Sequence, residues 1–226
     1  MSYDFNKVRL IGVTVPTIEE IPDSEGLVSY TARVSNQGNQ TNFETAAGLL
    51  RYCMRENHVS VFEMANIVIE IETPRDIARQ ILRHRSFSFQ EHSQRYAEAV
   101  GFTSRECRKQ DPKNRQNSFG LLDNDTDLDL NDWWEEQQLI LLEEIKHVYE
   151  RALEQGIAKE VARVILPEGL TMSRMYMNGT VRSWIHYCQL REQSGTQAEH
   201  RDIAVKAKKE ILTKFPFLEE VFDSKE

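Results

Sequence analysis

The sequence predicts a helix-rich α+β protein built as a single domain around a mostly antiparallel sheet. Its 226 residues are enough to enclose one substantial hydrophobic core. Segments with helical hydrophobic periodicity outnumber the short segments that alternate like strands. Strands and helices also alternate too rarely for a doubly wound parallel sheet. Because no internal repeat or Pro/Gly/Ser-rich linker interrupts the chain, we interpret residues 1–226 as one domain.

The first part of the chain predicts two strands with helices between them. Alternation over residues 65–72 places isoleucines on one face, which is typical of a half-buried strand. Weaker alternation predicts another strand at 6–15. The segments at 27–35 and 43–56 have the hydrophobic spacing of helices.

A further helix is expected directly after the strand at 65–72. Thr73 is the expected N-cap, and Pro74 fits the first helical position. The helix is expected to end at about residue 83 or 84. Helical spacing places Gln80 and Arg83 on one side, which we expect to face away from the core.

The second half of the chain predicts an exposed loop followed mainly by helices. Residues 104–131 are polar and irregular, and a loop of this length inside a domain is usually functional or disordered. A long helix is expected at 132–155, with Gly156 ending it. Four further elements follow: a short helix at 158–166, a strand at 171–177, a helix from the N-cap Thr180 to about residue 191, and a helix at 197–215.

Composition and charge restrict the functional classes. Apolar residues make up 40% of the chain and charged residues 28%, as in ordinary globular proteins, and no segment is apolar enough to predict a membrane span. The net charge of −8 disfavours a long nucleic-acid partner. No signal peptide is recognisable, and the cysteines at 53, 107 and 188 form no CxxC pair, so we expect a cytoplasmic location. The histidines have no HxxxH spacing, so no metal site is expected.

A dense basic motif is the strongest functional signal in the sequence. Residues 83–85 are Arg-His-Arg, and after seven intervening residues, positions 93–95 are Ser-Gln-Arg. Arginine offers planar, bidentate donors that match phosphate oxygens, and a serine hydroxyl can complete an anion site. A solvated, charged turn would give the same pattern, so the spacing alone leaves both interpretations open.

This motif resembles the signature of the flavin-dependent thymidylate synthases, and RHRSFSFQEHSQR matches that signature without a gap. Three further segments are similar to the family in their order and rough spacing. They are HVSVFE at 58–63, the Glu-x-Ala-Arg-x-x-Leu-Pro pattern at 160–167, and the helix at 182–191 that begins with Arg-Ser and ends with arginine. The resemblance covers about residues 43–215.

The resemblance implies two sets of ligand-binding residues. The set expected to bind dUMP is Gln80, Arg83, Glu91, Ser93, Gln94, Arg95, Arg163 and Arg191. The set expected to bind FAD is Ser60, Arg83, His84, Arg85, Glu91, Thr180, Arg182 and His186. Family active sites are shared between the subunits of a homotetramer, so one pocket is expected to combine residues of different chains.

The activity that the resemblance implies is the reductive methylation of dUMP to dTMP, with FAD as cofactor, methylenetetrahydrofolate as carbon donor and NADPH as reductant. Arg191 is expected to act catalytically, because a guanidinium beside a uracil oxygen would stabilise negative charge that develops in the ring. It stays protonated, so its role is electrostatic. No cysteine nucleophile is expected, since Cys53 and Cys188 lie in predicted helices and nothing beside Cys107 would hold a thiolate.

Two alternatives belong to other functional classes. A protein that retained the dUMP site without catalysis would be an inactive, nucleotide-binding regulatory protein, but it would not need Arg191 and the flavin set. Alternatively, the arginine cluster could contact RNA or DNA. The net charge of −8 argues against this function. Flavin absorbance of the purified protein would separate the enzyme from the regulatory protein.

Overall fold

The protein is built on a four-stranded antiparallel sheet, which confirms the prediction of an α+β fold. The computed structural model describes residues 3–121 and 125–223. The sheet has the strand order β1–β2–β6–β3, and each neighbouring pair is antiparallel. A separate hairpin is formed by β4 and β5. The strands are β1 (Lys7–Val13), β2 (Asn66–Pro74), β3 (Ser88–Glu91), β4 (Arg108–Gln110), β5 (Ser118–Gly120) and β6 (Met172–Thr180).

The described residues are otherwise mainly helical. No helix among them is both long and apolar enough to cross a membrane. Short 3₁₀ turns occupy Gln37–Asn39, Phe43–Thr45, Val59–Glu63 and Arg163–Ile165. The helices are α1 (Ser24–Ala32), α2 (Ala46–Arg55), α3 (Arg75–Ile81), α4 (Asp125–Glu154), α5 (Lys159–Ala162), α6 (Val181–Arg191), α7 (Ala198–Leu212) and α8 (Leu218–Asp223).

The core lies on one face of the sheet, as the alternation in β2 predicts. Ile67, Ile69 and Ile71 are fully buried, while the residues between them are partly exposed. From helix α6, Trp184 packs into this layer, and its Nε1 donates to the backbone oxygen of Ile67 at 3.1 Å. Helix α7 adds Ile203 and other buried side chains to the same core cluster. These contacts hold α6 and α7 at defined positions relative to β2.

The start of α3 is displaced from its predicted position. Thr73 was expected as N-cap, but β2 continues through Pro74, which occupies the N-cap position, and the helix begins at Arg75. Pairing with β6 explains the difference, because Thr73 lies opposite Ser173 in the ladder. The Thr73 hydroxyl donates to Asn6 Oδ1 at 2.8 Å instead of capping the helix. The helix ends at Ile81, two to three residues earlier than predicted.

The prediction of an irregular loop at 104–131 is wrong in part. The segment contains the β4–β5 hairpin, and α4 begins at Asp125, seven residues before the predicted start at 132. Acidic side chains at Asp125 and Asp127 are favourable there, because a helix N-terminus carries partial positive charge. Asp127 is buried and forms an ion pair with Lys109 of the hairpin. Residues 122–124 lie outside the described residues.

The elements around β6 agree well with the sequence. The strand predicted at 171–177 extends to Thr180, and the Thr180 hydroxyl caps α6 by accepting from the backbone N–H of Ser183 at 3.2 Å. Helix α4 ends at Glu154, and Gly156 follows with a φ of 80°, a backbone conformation that favours glycine. Strand β3, inside the basic motif, was not predicted. It is a short edge strand that pairs with β6.

Candidate active site

Arg191 and His84 meet across the fold. Arg191 is the last residue of α6, and its Nε donates to Nε2 of His84 at 2.9 Å. Only a neutral imidazole has a nitrogen that can accept this bond. Burial, together with the charges of Arg191 and His186, lowers the pKa of His84 to about 4. His84 is therefore neutral at pH 7 and fixes the orientation of the Arg191 guanidinium.

The turn that carries His84 is packed against the sheet by an aromatic ring. Phe87 N donates to the backbone oxygen of His84 at 3.2 Å, and the Phe87 ring lies edge-on to Trp184 at 4.8 Å. The same ring covers Gly179 of β6, where a Cβ atom would lie 2.4 Å from it. Glycine is therefore required at this position, because any side chain would displace Phe87 and the turn that holds His84.

A buried chain of polar contacts continues from His84 into α7. The His84 ring lies edge-on to Tyr187 at 4.9 Å, and the Tyr187 hydroxyl is 3.1 Å from Nε2 of His200. Nδ1 of His200 lies 3.4 Å from Oε1 of Gln80, and Nε2 of Gln80 donates to Oε1 of Gln197 at 2.7 Å. Burial, together with the nearby Arg191, lowers the pKa of His200 to about 3. The expectation that Gln80 faces away from the core is therefore wrong, because its amide faces α7.

Two exposed arginines flank His84. Arg83 and Arg85 are both exposed, in agreement with the prediction for Arg83. Neither guanidinium forms an ion pair with a carboxylate in the ranges 3–121 and 125–223. Both remain available for an anionic ligand.

Glu91 lies at the end of β3 among several cationic groups. Its Oε1 accepts from the Ser173 hydroxyl at 2.9 Å and lies 3.5 Å from Nη1 of Arg75, which is largely buried. Its Oε2 accepts from Nη1 of Arg79 at 3.4 Å, and Arg79 also contacts Glu168 at 3.0 Å. Glu91 thus connects β3, β6 and α3, and its contacts stabilise the end of the strand from which the motif continues.

The residues that follow β3 form a second group near α5. Gln94 is buried, and its Nε2 has no hydrogen-bond partner among the described residues. Nε of Arg95 donates to Oε2 of Glu160 at 3.2 Å, and Nε of Arg163 donates to the backbone oxygen of Glu160 at 3.3 Å. An unpaired buried donor is costly, and such a group is typical of a site that a ligand or a second chain completes. The backbone N–H of Arg95 donates to Ser93 Oγ at 3.4 Å, which turns the chain at this point.

The predicted dUMP residues fall into two separate groups in one chain. Gln80, Arg83 and Arg191 lie around α3 and the end of α6, whereas the residues at 93–95 and Arg163 lie around α5. Within the described part of the chain, no hydrogen bond or ion pair joins the two groups. Hydrogen bonds and ion pairs therefore divide these residues into two sets, and Glu91 lies between them through its contacts with α3.

The predicted flavin residues on α6 lie beside the 3₁₀ turn Val59–Glu63. Arg182 and His186 are exposed one turn apart, and Arg182 forms an ion pair with Glu63 of that turn, which also carries Ser60. Guanidinium, imidazole and hydroxyl groups are donors, and this donor set fits the phosphates of a dinucleotide such as FAD. The Thr180 hydroxyl is already engaged in capping α6.

Two of the three cysteines are poorly suited to act as nucleophiles. Cys53 and Cys188 are buried, and burial raises the pKa of both thiols, which disfavours the reactive thiolate. Among the described residues, no group of three or more His, Cys, Asp or Glu side chains could hold a metal ion. Sequence patterns did not identify His200 or Gln197, because their partners Tyr187 and Gln80 are distant in sequence.

Comparison with known proteins identifies relatives over nearly the whole chain. The family model described as "thymidylate synthase complementing protein" matches residues 17–217. A probable flavin-dependent thymidylate synthase of Paramecium bursaria Chlorella virus 1 is 47% identical over 216 residues, covering 95% of this chain and 98% of the relative. The flavin-dependent thymidylate synthase of Synechocystis sp. is 49% identical over 212 residues, covering 92% and 95%.

A solved structure has a similar fold over nearly the whole chain. The UMP/dUMP methylase PolB from Streptomyces cacaoi, crystallised with 5-Br dUMP, superposes with a TM-score of 0.80 at 26% identity. The alignment covers 99% of this chain and 96% of PolB. Together, the family model, the two sequence relatives and the shared fold show that this chain belongs to the flavin-dependent thymidylate synthase family.

Proposed function

We propose that this protein catalyses the reductive methylation of dUMP to dTMP, with FAD as cofactor, methylenetetrahydrofolate as carbon donor and NADPH as reductant. The observation that supports this most directly is the orientation of Arg191 by the neutral imidazole of His84. This contact joins the end of α6 to the basic motif after α3. The proposed active site lies where these two elements meet.

Arg191 would stabilise the negative charge that develops on uracil during the reaction. Its Nε is occupied by His84, so its two terminal nitrogens remain for a uracil oxygen. A guanidinium does not give up its proton at neutral pH, so the contribution is electrostatic. Because His84 holds the group in place, little reorganisation is needed when the charge forms.

The nucleotide would be bound by both groups of polar residues. Charge-assisted bonds from arginine suit the phosphate of dUMP, and the unpaired amide of buried Gln94 offers a further donor. The carboxylate of Glu91 fixes the strand end that presents these residues. The residues proposed to bind dUMP are Gln80, Arg83, Glu91, Ser93, Gln94, Arg95, Arg163 and Arg191.

FAD would be bound by the donors around the start of α6 and the Arg-His-Arg motif. When bound, it supplies the chemistry that transfers reducing equivalents and the carbon unit. The protein residues contribute positively charged and neutral donors that orient it, and the carboxylate of Glu91 contributes an acceptor. The residues proposed to hold it are Ser60, Arg83, His84, Arg85, Glu91, Thr180, Arg182 and His186.

We further propose that the active protein is a homotetramer with shared active sites. Helix α4 supports assembly, because it exposes large apolar side chains that water solvates poorly. On α4 these are Leu128, Trp133, Trp134, Leu139, Ile140, Leu141 and Val148.

A cytoplasmic location stays a prediction.

The proposed function is tested by the colour and chemistry of the purified protein. We expect a visible flavin band that NADPH bleaches, and that dUMP with methylenetetrahydrofolate restores as dTMP forms. A protein that binds dUMP but never forms dTMP would instead be the inactive regulatory protein.

In a dUMP titration, Arg95→Ala and Arg163→Ala should each weaken binding about tenfold or more, because each removes a charge-assisted bond. Arg151→Ala, on the exposed end of α4, is the matched control and should leave the affinity unchanged.

A further inference from the structure

A cavity lies between the β4–β5 hairpin and the N-terminal end of α7. Its volume is about 340 Å³, which is in the range of small-molecule sites. The hairpin contributes Arg108 and Arg115, and the segment leading into α7 contributes Thr196 and Gln197, with Arg201 one turn further. The cavity is separate from the residues assigned to dUMP and FAD above.

The cavity carries excess positive charge. Its lining contains three arginines and one carboxylate, that of Glu106. Arg108 is neutralised by ion pairs with Glu106 and the buried Glu199. Arg115 and Arg201 are exposed, and their guanidinium groups form neither an ion pair nor a hydrogen bond within residues 3–121 and 125–223. The rim therefore presents two cations that can bind a ligand without first breaking a protein contact.

The hairpin turn that carries Arg115 is held by its own side chains. Asp111 accepts from the backbone N–H groups of Lys113 at 2.8 Å and Asn114 at 3.1 Å, and from Nδ2 of Asn117 at 3.0 Å. Gln110 donates to three backbone oxygens across the same turn, at 3.0 to 3.2 Å. These bonds define the conformation of an exposed segment, which reduces the conformational entropy lost when a ligand binds.

One hydrogen bond links the lining of the cavity to the proposed nucleotide site. Gln197 lines the cavity, and its Oε1 accepts from Nε2 of Gln80 at 2.7 Å. A ligand that contacts Gln197 would therefore be separated by one side chain from Gln80, which is proposed to bind dUMP. A co-substrate that reacts at the active site could extend into this cavity.

We propose that this cavity binds the oxyanion-bearing end of a co-substrate, either the 2′-phosphate of NADPH or the glutamate carboxylates of the folate. The inference rests on the proposed function, which brings both molecules to the protein. The planar fork of arginine matches phosphate and carboxylate oxygens equally well, so the shared chemistry is an oxyanion held by Arg115 and Arg201.

The test measures direct binding to the FAD-loaded protein and does not depend on turnover. Calorimetric titrations with NADP⁺, NAD⁺, and mono- and triglutamylated tetrahydrofolate compare the wild type with the Arg115→Ala/Arg201→Ala variant. Losing two charge-assisted contacts should raise the Kd of the responsible ligand by about tenfold or more. NAD⁺, which lacks the 2′-phosphate, should be little affected if the responsible ligand is NADP⁺. Lys113→Ala removes a charge from the same turn but lies outside the lining, so it is the matched control.

The pattern of affinities identifies the source of the oxyanion. Loss of NADP⁺ affinity without loss of NAD⁺ affinity assigns the cavity to the phosphate. Loss of affinity for the triglutamate, or for both folates, with unchanged nicotinamide binding assigns it to the folate tail. Equal affinities of wild type and variant for all four ligands, or an equal loss for all four, would overturn the inference. Failure of the proposed function would appear differently, as a wild-type protein that forms no dTMP.

Discussion

Replacing Arg191 with alanine is the sharpest test of the proposed catalytic site. The guanidinium is half-buried at the end of α6 and is held by one hydrogen bond of 2.9 Å to His84. If it stabilises charge on uracil, its loss should cost about 2.7–4 kcal/mol, or roughly a hundredfold to a thousandfold in rate. If it is only an arginine at a helix C-terminus, the dipole interaction contributes under about 1 kcal/mol to stability and turnover should be nearly normal.

Stopped-flow absorbance can separate the two half-reactions in this variant. We expect Arg191→Ala to retain FAD and to be reduced by NADPH at a normal rate, while reoxidation by dUMP and methylenetetrahydrofolate slows. Arg151→Ala provides a control, since Arg151 also lies in the last turn of a helix but is exposed. A reoxidation rate within a few fold of the wild type would refute the catalytic role.

The contact with His84 predicts a second, smaller effect. His84→Ala keeps the charge of Arg191 but removes its acceptor, and a hydrogen bond to a charged group contributes about 1.5–3 kcal/mol. Because the site is half-exposed, we expect the lower end, roughly a tenfold slower reoxidation. His84→Gln offers a neutral acceptor again and should recover part of the rate. A rate equally low in both variants would argue against positioning.

Three further outcomes are expected. Arg182→Ala should lower the flavin content after dilution, measured by absorbance, because it removes a cation from the proposed FAD site; full retention of FAD would contradict that assignment. Replacing Cys53, Cys107 and Cys188 together should leave dTMP formation measurable in a folded, flavin-loaded protein. Complete inactivity of that variant would instead support a mechanism with a cysteine thiolate. The buried His200 has a pKa lowered to about 3, so its contribution to stability is fully present above about pH 6.5 and is lost as the pH falls toward 3. Urea midpoints at pH 7 and 5 should therefore differ less in His200→Gln than in the wild type, and an unchanged difference would contradict the prediction.

Local patterns predicted the elements whose determinants are adjacent in sequence. The alternation of Ile67, Ile69 and Ile71 identified the buried face of β2, and the Thr180 hydroxyl was correctly identified as a helix cap. Predictions failed where a distant partner decided the outcome. Thr73 has the composition of an N-cap, but the ladder with β6 keeps it in β2.

The acidic segment at the start of the long helix is another case in which a distant partner decides the structure. Its aspartates suggest a solvated loop, but Asp127 is buried against Lys109, a contact that requires the β4–β5 hairpin to fold beside the start of α4. Composition alone cannot show that an aspartate has such a partner. The polar segment therefore divides into a hairpin and the first turns of a helix.

The sequence by itself predicted the family, the kind of ligand and the candidate residues. A long polar signature that includes several arginines can be recognised from the order of the amino acids alone. Only the tertiary structure decided how those residues cooperate. His84 and Arg191 are 107 positions apart, and their contact depends on how α6 and the turn after α3 pack on β6. Burial in that packing keeps His84 neutral, so that this residue of the basic motif accepts a hydrogen bond and orients a cation.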